Sequence, residues 1–453
     1  MHEHNLPIGG TMRKNNTKIA RKINSKIFPA LLAFILMLAA CAPAATPTPA
    51  PATEAPATSA PVPTEAPPTE PPVELPDTIK IGAVIPLTGR YAAGGGQIKN
   101  GYELAVNDIN AAGGVDINGT KVPLELVVLD DESDATKTVQ HLETLYSQDV
   151  VAYLGGFGSD LHAAAAGIAE KNKVPYIGVA FALYSIHQQG FKYLFSPFPK
   201  SPALATTTFD MLDSLKNPQT PDSPLPTNIA IFAETTDWGK ELGSLWTEEA
   251  NKRGGYTIKT YEYAPGTTDF SSIILPAKDS GAGVLLALPN PPDGLALAKQ
   301  LKELDWNPFL SMFVRAADPP TFGENLGVDS DGFMLMPGWN RGVNFPGVAE
   351  MSERHLAAYG TPALAVTGPA YAAVQILADA ITRAGSLDRD AIRDAIAATD
   401  MDTMVGPVTF NEDGTGNVLT VINQWQAGKQ VLIWPPEQPV APMIYPAVPW
   451  IDR

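Results

Sequence analysis

Short apolar runs alternate with longer amphipathic segments along most of this chain, glycine closes several of those segments, and the whole rhythm occurs twice. The run Thr78-Ile-Lys-Ile-Gly-Ala-Val-Ile-Pro86 alternates and then turns apolar, as an inner strand does, and Leu87–Gly96 reads as the loop after it. In Gly101–Asn110, Leu104, Ala105 and Ile109 share one helical face, and Ala112-Gly113-Gly114 supplies glycine where a left-handed cap is wanted. Val122–Leu129 is a second strand ending in Asp130-Asp131. Helix Ala135–Ser147, strand Val150–Leu154, loop Gly155–Asp160, helix Leu161–Lys171 and strand Val174–Val179 complete the first unit.

The pattern restarts with strand Asn228–Ala233 and helix Gly239–Arg253, which stops at Gly254-Gly255. Strand Thr257–Tyr263, helix Phe270–Lys278, strand Gly283–Leu288 and helix Gly294–Leu304 follow. Strands separated by helices at this spacing predict parallel sheets with helices on both faces, hence α/β architecture in two doubly wound lobes. The chain beyond residue 76 is also too long for one ordinary core. In open sheets of this kind ligands bind beyond the carboxyl ends of the strands, so the loops after strands carry the candidate site.

The first eighty residues are of another kind. Six Lys/Arg side chains lie between Arg13 and Lys26, followed by Ile27–Ala40, which has no charge and is broken only by Pro29. That stretch is too short for an ordinary membrane-spanning helix of about 20 residues and fits a signal-peptide core. It ends in Leu38-Ala39-Ala40-Cys41, the chain's one cysteine, and the run resembles the lipobox of bacterial lipoproteins. The resemblance implies cleavage before Cys41 and a diacylglycerol on its sulfur. Met12 and Met1 are both acceptable starts. Residues 42–76 hold twelve prolines among Ala, Thr and a few Glu, a composition that cannot form a core and favours polyproline II. At about 3.1 Å per residue such a stalk reaches roughly 100 Å when extended. Without residues 1–40 the chain has 25 basic against 47 acidic side chains, a formal charge of −22. This charge repels nucleic acid and anionic lipid, so membrane attachment has to come from the lipid.

The folded part resembles the type I periplasmic binding proteins, in particular the leucine/isoleucine/valine-binding branch serving ABC importers. The resemblance rests on Ile79–Gly89, on Gly101…Ala105…Asp108-Ile-Asn-Ala-Ala-Gly-Gly114 and on Asp130-Asp131-Glu-Ser-Asp134. Gly155…Ser159, Ile168-Ala-Glu-Lys171, Val174-Pro175, Phe270-Ser-Ser-Ile273, Tyr371-Ala-Ala-Val374 and Gly406-Pro-Val-Thr-Phe410…Gly414 follow in order. It implies two lobes joined by a hinge of three crossovers, near Pro197–Pro202, Met336–Gly338 and Val405–Pro407. Residues 77–199 and 338–405 then build the first lobe, and 200–337 and 406–453 the second, behind a signal peptide (1–40) and a lipidated stalk (41–76). It further implies a monomeric, lipid-anchored, extracytoplasmic binder that traps a small-molecule ligand between its lobes and docks on an ABC permease, with no cofactor, metal or nucleic acid.

By the same resemblance the ligand-binding positions are Tyr91, Phe157, Ser159, Asp160, Phe181, Ala182, Trp238, Asn290 and Arg315. Ser159 matches the residue that holds an α-carboxylate in amino-acid binders, though it reads equally as a plain N-cap. Asp160 departs from the small polar residue usual nearby; it either complements the helix dipole or answers a donor on the ligand. Phe181 and Ala182 replace a small residue and a threonine with an apolar surface. Trp238 stands where an aromatic ring covers the ligand, with ordinary packing as the alternative. Asn290 occupies another post-strand loop. Arg315 stands about where the amino-acid binders carry a glutamate for the ligand's ammonium, and Asp318 is the nearest acid. An arginine there favours a ligand carboxylate, unless it is a surface residue offset by a few positions. The expected ligand is an amino acid, an amide or a small or aromatic organic acid rather than an ordinary branched-chain amino acid.

An enzyme is the main rival class. His141, His162, His187 and His355 form no metal-ligand spacing, no Gly-x-Ser-x-Gly elbow is present, and Gly94-Gly-Gly-Gln-Ile-Lys99 lacks the ending of a phosphate loop. Asp130 and Asp131 point to opposite faces of a strand and make a poor acid pair. A tethered sensor that reports occupancy to a membrane receptor would use the same lobe closure.

Overall fold

The computed structural model describes residues 74–216, 224–438 and 440–453. The expected signal peptide, Cys41 and the expected stalk up to residue 73 lie outside the described residues.

The first lobe opens with β1 (Ile79–Ile85), α1 (Ala92–Ala111), a hairpin of β2 (Val115–Ile117) and β3 (Thr120–Val122), β4 (Leu124–Asp130) and α2 (Ala135–Ser147). It continues through β5 (Ala152–Leu154), α3 (Ser159–Asn172), β6 (Tyr176–Ile177) and β7 (Leu194–Phe195). Five of these strands form a parallel sheet in the order β4-β1-β5-β6-β7. Six of the seven β1 residues are buried because helices cover both faces of the sheet. Its core continues into Leu142 and Leu145 of α2 and Ala165, Ala166 and Ala169 of α3.

The second lobe holds α4 (Ser201–Leu215), β8 (Asn228–Glu234), α5 (Asp237–Arg253), β9 (Thr257–Tyr263), α6 (Ser271–Asp279) and β10 (Val284–Ala287). Then come α7 (Pro291–Glu303), β11 (Leu310–Phe313), α8 (Pro320–Leu326) and β12 (Phe333–Leu335). The chain returns to the first lobe as α9 (Val348–Tyr359), α10 (Thr367–Ala384), α11 (Arg389–Ala397) and a hairpin of β13 (Asp400–Thr403) and β14 (Gly406–Thr409). Helices α9 and α10 lie against α1, where Asp108 accepts from Tyr371 at 2.7 Å and pairs with Arg354 at 2.9 Å. The last strands, β15 (Ile422–Gln426) and β16 (Lys429–Trp434), join the second sheet, whose order is β16-β15-β12-β11-β10-β8-β9. That sheet is mixed: β12 to β9 run parallel, whereas β15 and β16 are antiparallel additions at one edge. A separate aromatic core fills the far face of this lobe. There Phe313, Phe322 and Phe333 meet edge to face at 4.8–6.1 Å and Trp425 tilts against Phe322.

The chain passes between the sheets three times, within 196–200, 336–347 and 417–421. The third passage comes later than the Val405–Pro407 position expected from the sequence. Residues 406–409 pair with 400–403 beside α10, and Thr415 still bridges Ser196 at the edge of the first sheet. The Gly-Pro pair is therefore a hairpin corner. Helix α1 also differs from expectation, starting at Ala92 and running through Gly94-Gly95-Gly96. A methyl group on Gly95 would lie 1.9 Å from the carbonyl oxygen of Pro86, so glycine is what lets the first helical turn press on the end of β1.

Candidate functional site

The carboxyl ends of both sheets' strands face each other, and a small cavity of about 30 Å³ lies between them. Phe157, Ser159, Phe181 and Ala182 of the first lobe line it opposite Trp238 and Arg315 of the second. Six of the nine residues singled out in the sequence thus share one cavity. Tyr91 and Asp160 stand at its edge and reach it through Arg315. Asn290 does not line it: its side chain caps α7, accepting from the N–H of Asp293 at 3.1 Å and donating to the Asp293 carboxylate at 2.6 Å.

On the first-lobe side the cavity meets the start of α3. Gly158 precedes the helix with φ of 108° and has no side chain to cap it, so the N–H groups of the first turn are left open. A methyl group there would strike the Tyr91 ring at 2.7 Å. Ser159 is buried, and its hydroxyl accepts from Leu183 N–H at 3.4 Å rather than capping the helix. Ala180 and Arg315, which both line the cavity, both have left-handed backbones, with φ of 52° and 76°. Such strained non-glycine residues concentrate at functional sites.

Behind this wall Phe181 stacks on two buried imidazoles, His162 at 4.3 Å and His187 at 5.6 Å. The Lys200 ammonium sits 3.4 Å from the Phe181 ring centroid and donates to Phe181 O at 2.8 Å and to Ser196 Oγ at 2.7 Å. Burial drives both imidazoles down to about 3 and lowers the Lys200 pKa well below its ordinary value. His162 and His187 are therefore neutral packing partners at physiological pH, anchoring the wall where the first crossover leaves.

Arg315 departs most from the sequence reading. Its Nη2 donates to Glu234, at the end of β8, and to Leu288 O at 3.2 Å; Nε donates to Pro289 O at 3.3 Å and Nη1 to the Tyr91 hydroxyl at 3.3 Å. The Tyr91 hydroxyl in turn donates to Asp160 at 3.1 Å, and Asp160 pairs with Arg90. The guanidinium also stacks on Trp238 at 4.8 Å. Four of its five N–H groups are engaged, and Glu234 occupies the place a ligand carboxylate would take. Burial opposes the Arg315 charge, but Tyr91, Glu234 and Asp160 outweigh it and hold the pKa above its ordinary value. Burial pushes the Tyr91 phenol up to about 12. Arg315 is thus a buried, internally neutralised wall rather than an open anion clamp.

Two polar groups on the same cavity are unsatisfied. Asp318 is buried with Oδ1 lacking any partner, and Trp238 Nε1 is a buried donor with none. Burial raises the Asp318 carboxyl pKa well above the usual range, with Arg315 pulling it back only in part. Buried groups of this kind ordinarily find partners, so a cavity lined by one orphan acceptor and one orphan donor is shaped for a polar occupant. Glu234 escaped the sequence reading; its one signal there was an acid at the end of a buried strand in a post-strand position. Among the described residues no cluster of three or more His, Cys, Asp or Glu could hold a metal ion.

A family model described as periplasmic binding protein matches residues 78–430. The Leu/Ile/Val-binding protein homolog 8 of Brucella abortus is 27% identical over 379 residues, spanning 81% of this chain and 92% of that protein. Among solved structures, a leucine-binding protein of Thermotoga maritima superimposes with a TM-score of 0.70 at 23% identity, covering 78% of this chain and 97% of that one. A solute-binding protein of an ABC transporter from R. palustris, in complex with benzoate, gives a TM-score of 0.68 at 18% identity over 82% and 97%. At these identities the structural likenesses speak for the fold alone.

Proposed function

The chain belongs to the periplasmic binding protein family, a family of binders rather than catalysts, and from that premise we propose that it is a lipid-anchored extracytoplasmic receptor for a small organic solute. It takes the solute between its lobes and delivers it to an ABC permease of the branched-chain amino acid type. Cys41 carries the lipid in this reading, and the proline-rich stalk gives the lobes reach to the permease. At least two acyl chains are needed for stable attachment, which a diacylglycerol provides.

The observation that carries the reading is the pair of unsatisfied groups, Asp318 Oδ1 and Trp238 Nε1, on a cavity that also meets the open start of α3. The α3 start and Trp238 suit an acceptor, most simply a carboxylate, worth up to about 2 kcal/mol at a partly buried helix start. Asp318 suits an amine or amide donor. Phe157, Phe181 and Trp238 suit an apolar or aromatic body between those ends. The charge argument against an ordinary amino acid lapses, because Glu234 already neutralises Arg315. Amino acids, amides and small aromatic acids are the classes to test. The names of the relatives, a leucine binder and a benzoate complex among them, fall in the same range.

A thermal-shift screen across those classes tests the reading. A solute at 100 times its dissociation constant stabilises the protein by about 2.7 kcal/mol. A flat response across a chemically broad library contradicts it.

A further inference from the structure

Two side-chain contacts, among others, join the lobes near the cavity. One is Arg315 to Tyr91. The other involves Glu241, which lies one helical turn beyond Trp238 on α5 and does not line the cavity. Its Oε1 accepts from the backbone N–H of Tyr184 at 2.7 Å, and its Oε2 from that of Ser185 at 2.9 Å. Tyr184 and Ser185 open the 3-10 turn Tyr184–Gln189 between β6 and β7, and Leu183 before them offers no capping side chain. Their N–H groups therefore depend on the opposite lobe for a partner. The turn is itself fixed to the first lobe's edge: the Tyr184 hydroxyl donates to Asp413 at 3.2 Å, and His187 Nδ1 lies 2.8 Å from the Asp413 carbonyl oxygen.

We propose that Glu241 is a closure latch: by capping Tyr184 and Ser185 across the cleft it biases the lobes toward the closed arrangement without touching the solute. This rests on the reading that the lobes close around a solute. Both carboxylate bonds exist only while the lobes are together, and bonds to an ionised acceptor are among the stronger hydrogen bonds. A contact made in one of two states shifts their populations, and apparent affinity for any solute scales with the closed, competent fraction. Glu241 is thus a positioning residue that tunes all solutes by one common factor, whereas Asp318 and Trp238 discriminate among them.

The test uses the solute-free full chain with Cys41→Ser, spin-labelled through Gln140→Cys on α2 and Asp279→Cys on α6. Interlobe distances are read by double electron–electron resonance. The wild-type latch is expected to give a population at the closed distance, and Glu241→Ala to lower the closed-to-open ratio about tenfold or more. Glu241→Gln, which keeps the shape and one acceptor oxygen, should fall between them and serves if the alanine variant does not fold. Unchanged distributions in the variants, or a wild type lying wholly at the open distance, overturn the proposal. Because no solute is added, failure of the binding reading leaves this result interpretable.

Discussion

Replacing Arg315 by methionine removes the cation paired with Glu234, whose side chain is 2% exposed against 9% for Arg315. The orphaned carboxylate then keeps a charged neighbour at the start of α7, Asp293, itself an acid whose pKa burial has raised. Breaking a buried pair by deleting one partner costs about 3–5 kcal/mol, most of it the penalty of leaving the other charge unpaired. Arg315→Met is expected to fall in that range by urea denaturation. Glu234→Gln is expected to cost less, because Tyr91 and the Leu288 and Pro289 carbonyls still accept from the guanidinium. The decisive variant combines the two. With neither charge present the double substitution should recover at least about 2 kcal/mol relative to the sum of the single losses. A loss below about 1 kcal/mol for Arg315→Met, or strict additivity in the double variant, would refute the internal ion pair and return Arg315 to the ligand.

The buried imidazoles give a pH test: His162 is held down to about 3, so between pH 6.5 and 3 the unfolded chain takes up a proton the native protein refuses. Its contribution to stability is full above pH 6.5 and is lost as pH falls, by about 1.4 kcal/mol per unit; His162→Gln, assayed by denaturation at pH 7 and pH 5, should lose correspondingly less than wild type on acidification, and an equal loss contradicts the buried neutral state. Asp318→Asn should weaken binding of an amine-bearing solute about tenfold or more in calorimetry while sparing a plain carboxylic acid; equal effects on both would remove Asp318 from recognition. Metabolic palmitate labelling should disappear in Cys41→Ala, and labelling that persists would remove the proposed anchor.

Much of the architecture was legible because parallel strands and amphipathic helices leave local signatures. Helix Ala135–Ser147 and strand Thr257–Tyr263 have the bounds expected from periodicity alone. The start of α1 was not legible, since three glycines read as a loop until the close approach of Gly95 to Pro86 O shows why a helix needs them. The third crossover was misplaced for a related reason: Gly406-Pro407 does bend the chain, but its pairing with Asp402-Thr403 is set by contact with α10, which local sequence does not encode. The site divides in the same way. Ser159, Phe181 and Trp238 could be located from the family resemblance together with their positions after strands. Arg315 could be found but not interpreted, because its partner Glu234 lies 81 residues away in sequence and its other partner, Tyr91, comes from the opposite lobe. Asp318 was noticed only as a neighbouring acid; its unsatisfied burial is a tertiary fact.

In the proposed function a solute is held between the α3 start and Asp318. A crystal structure with the solute that gives the largest thermal shift tests it most directly. The expected result is that solute in the interlobe cavity, an acceptor against the Ser159 end of α3 or Trp238 Nε1, a donor within hydrogen-bond reach of Asp318, and the Arg315–Glu234 pair intact. A solute bound outside the cavity, or a ligand carboxylate that displaces Glu234 from Arg315, would contradict it.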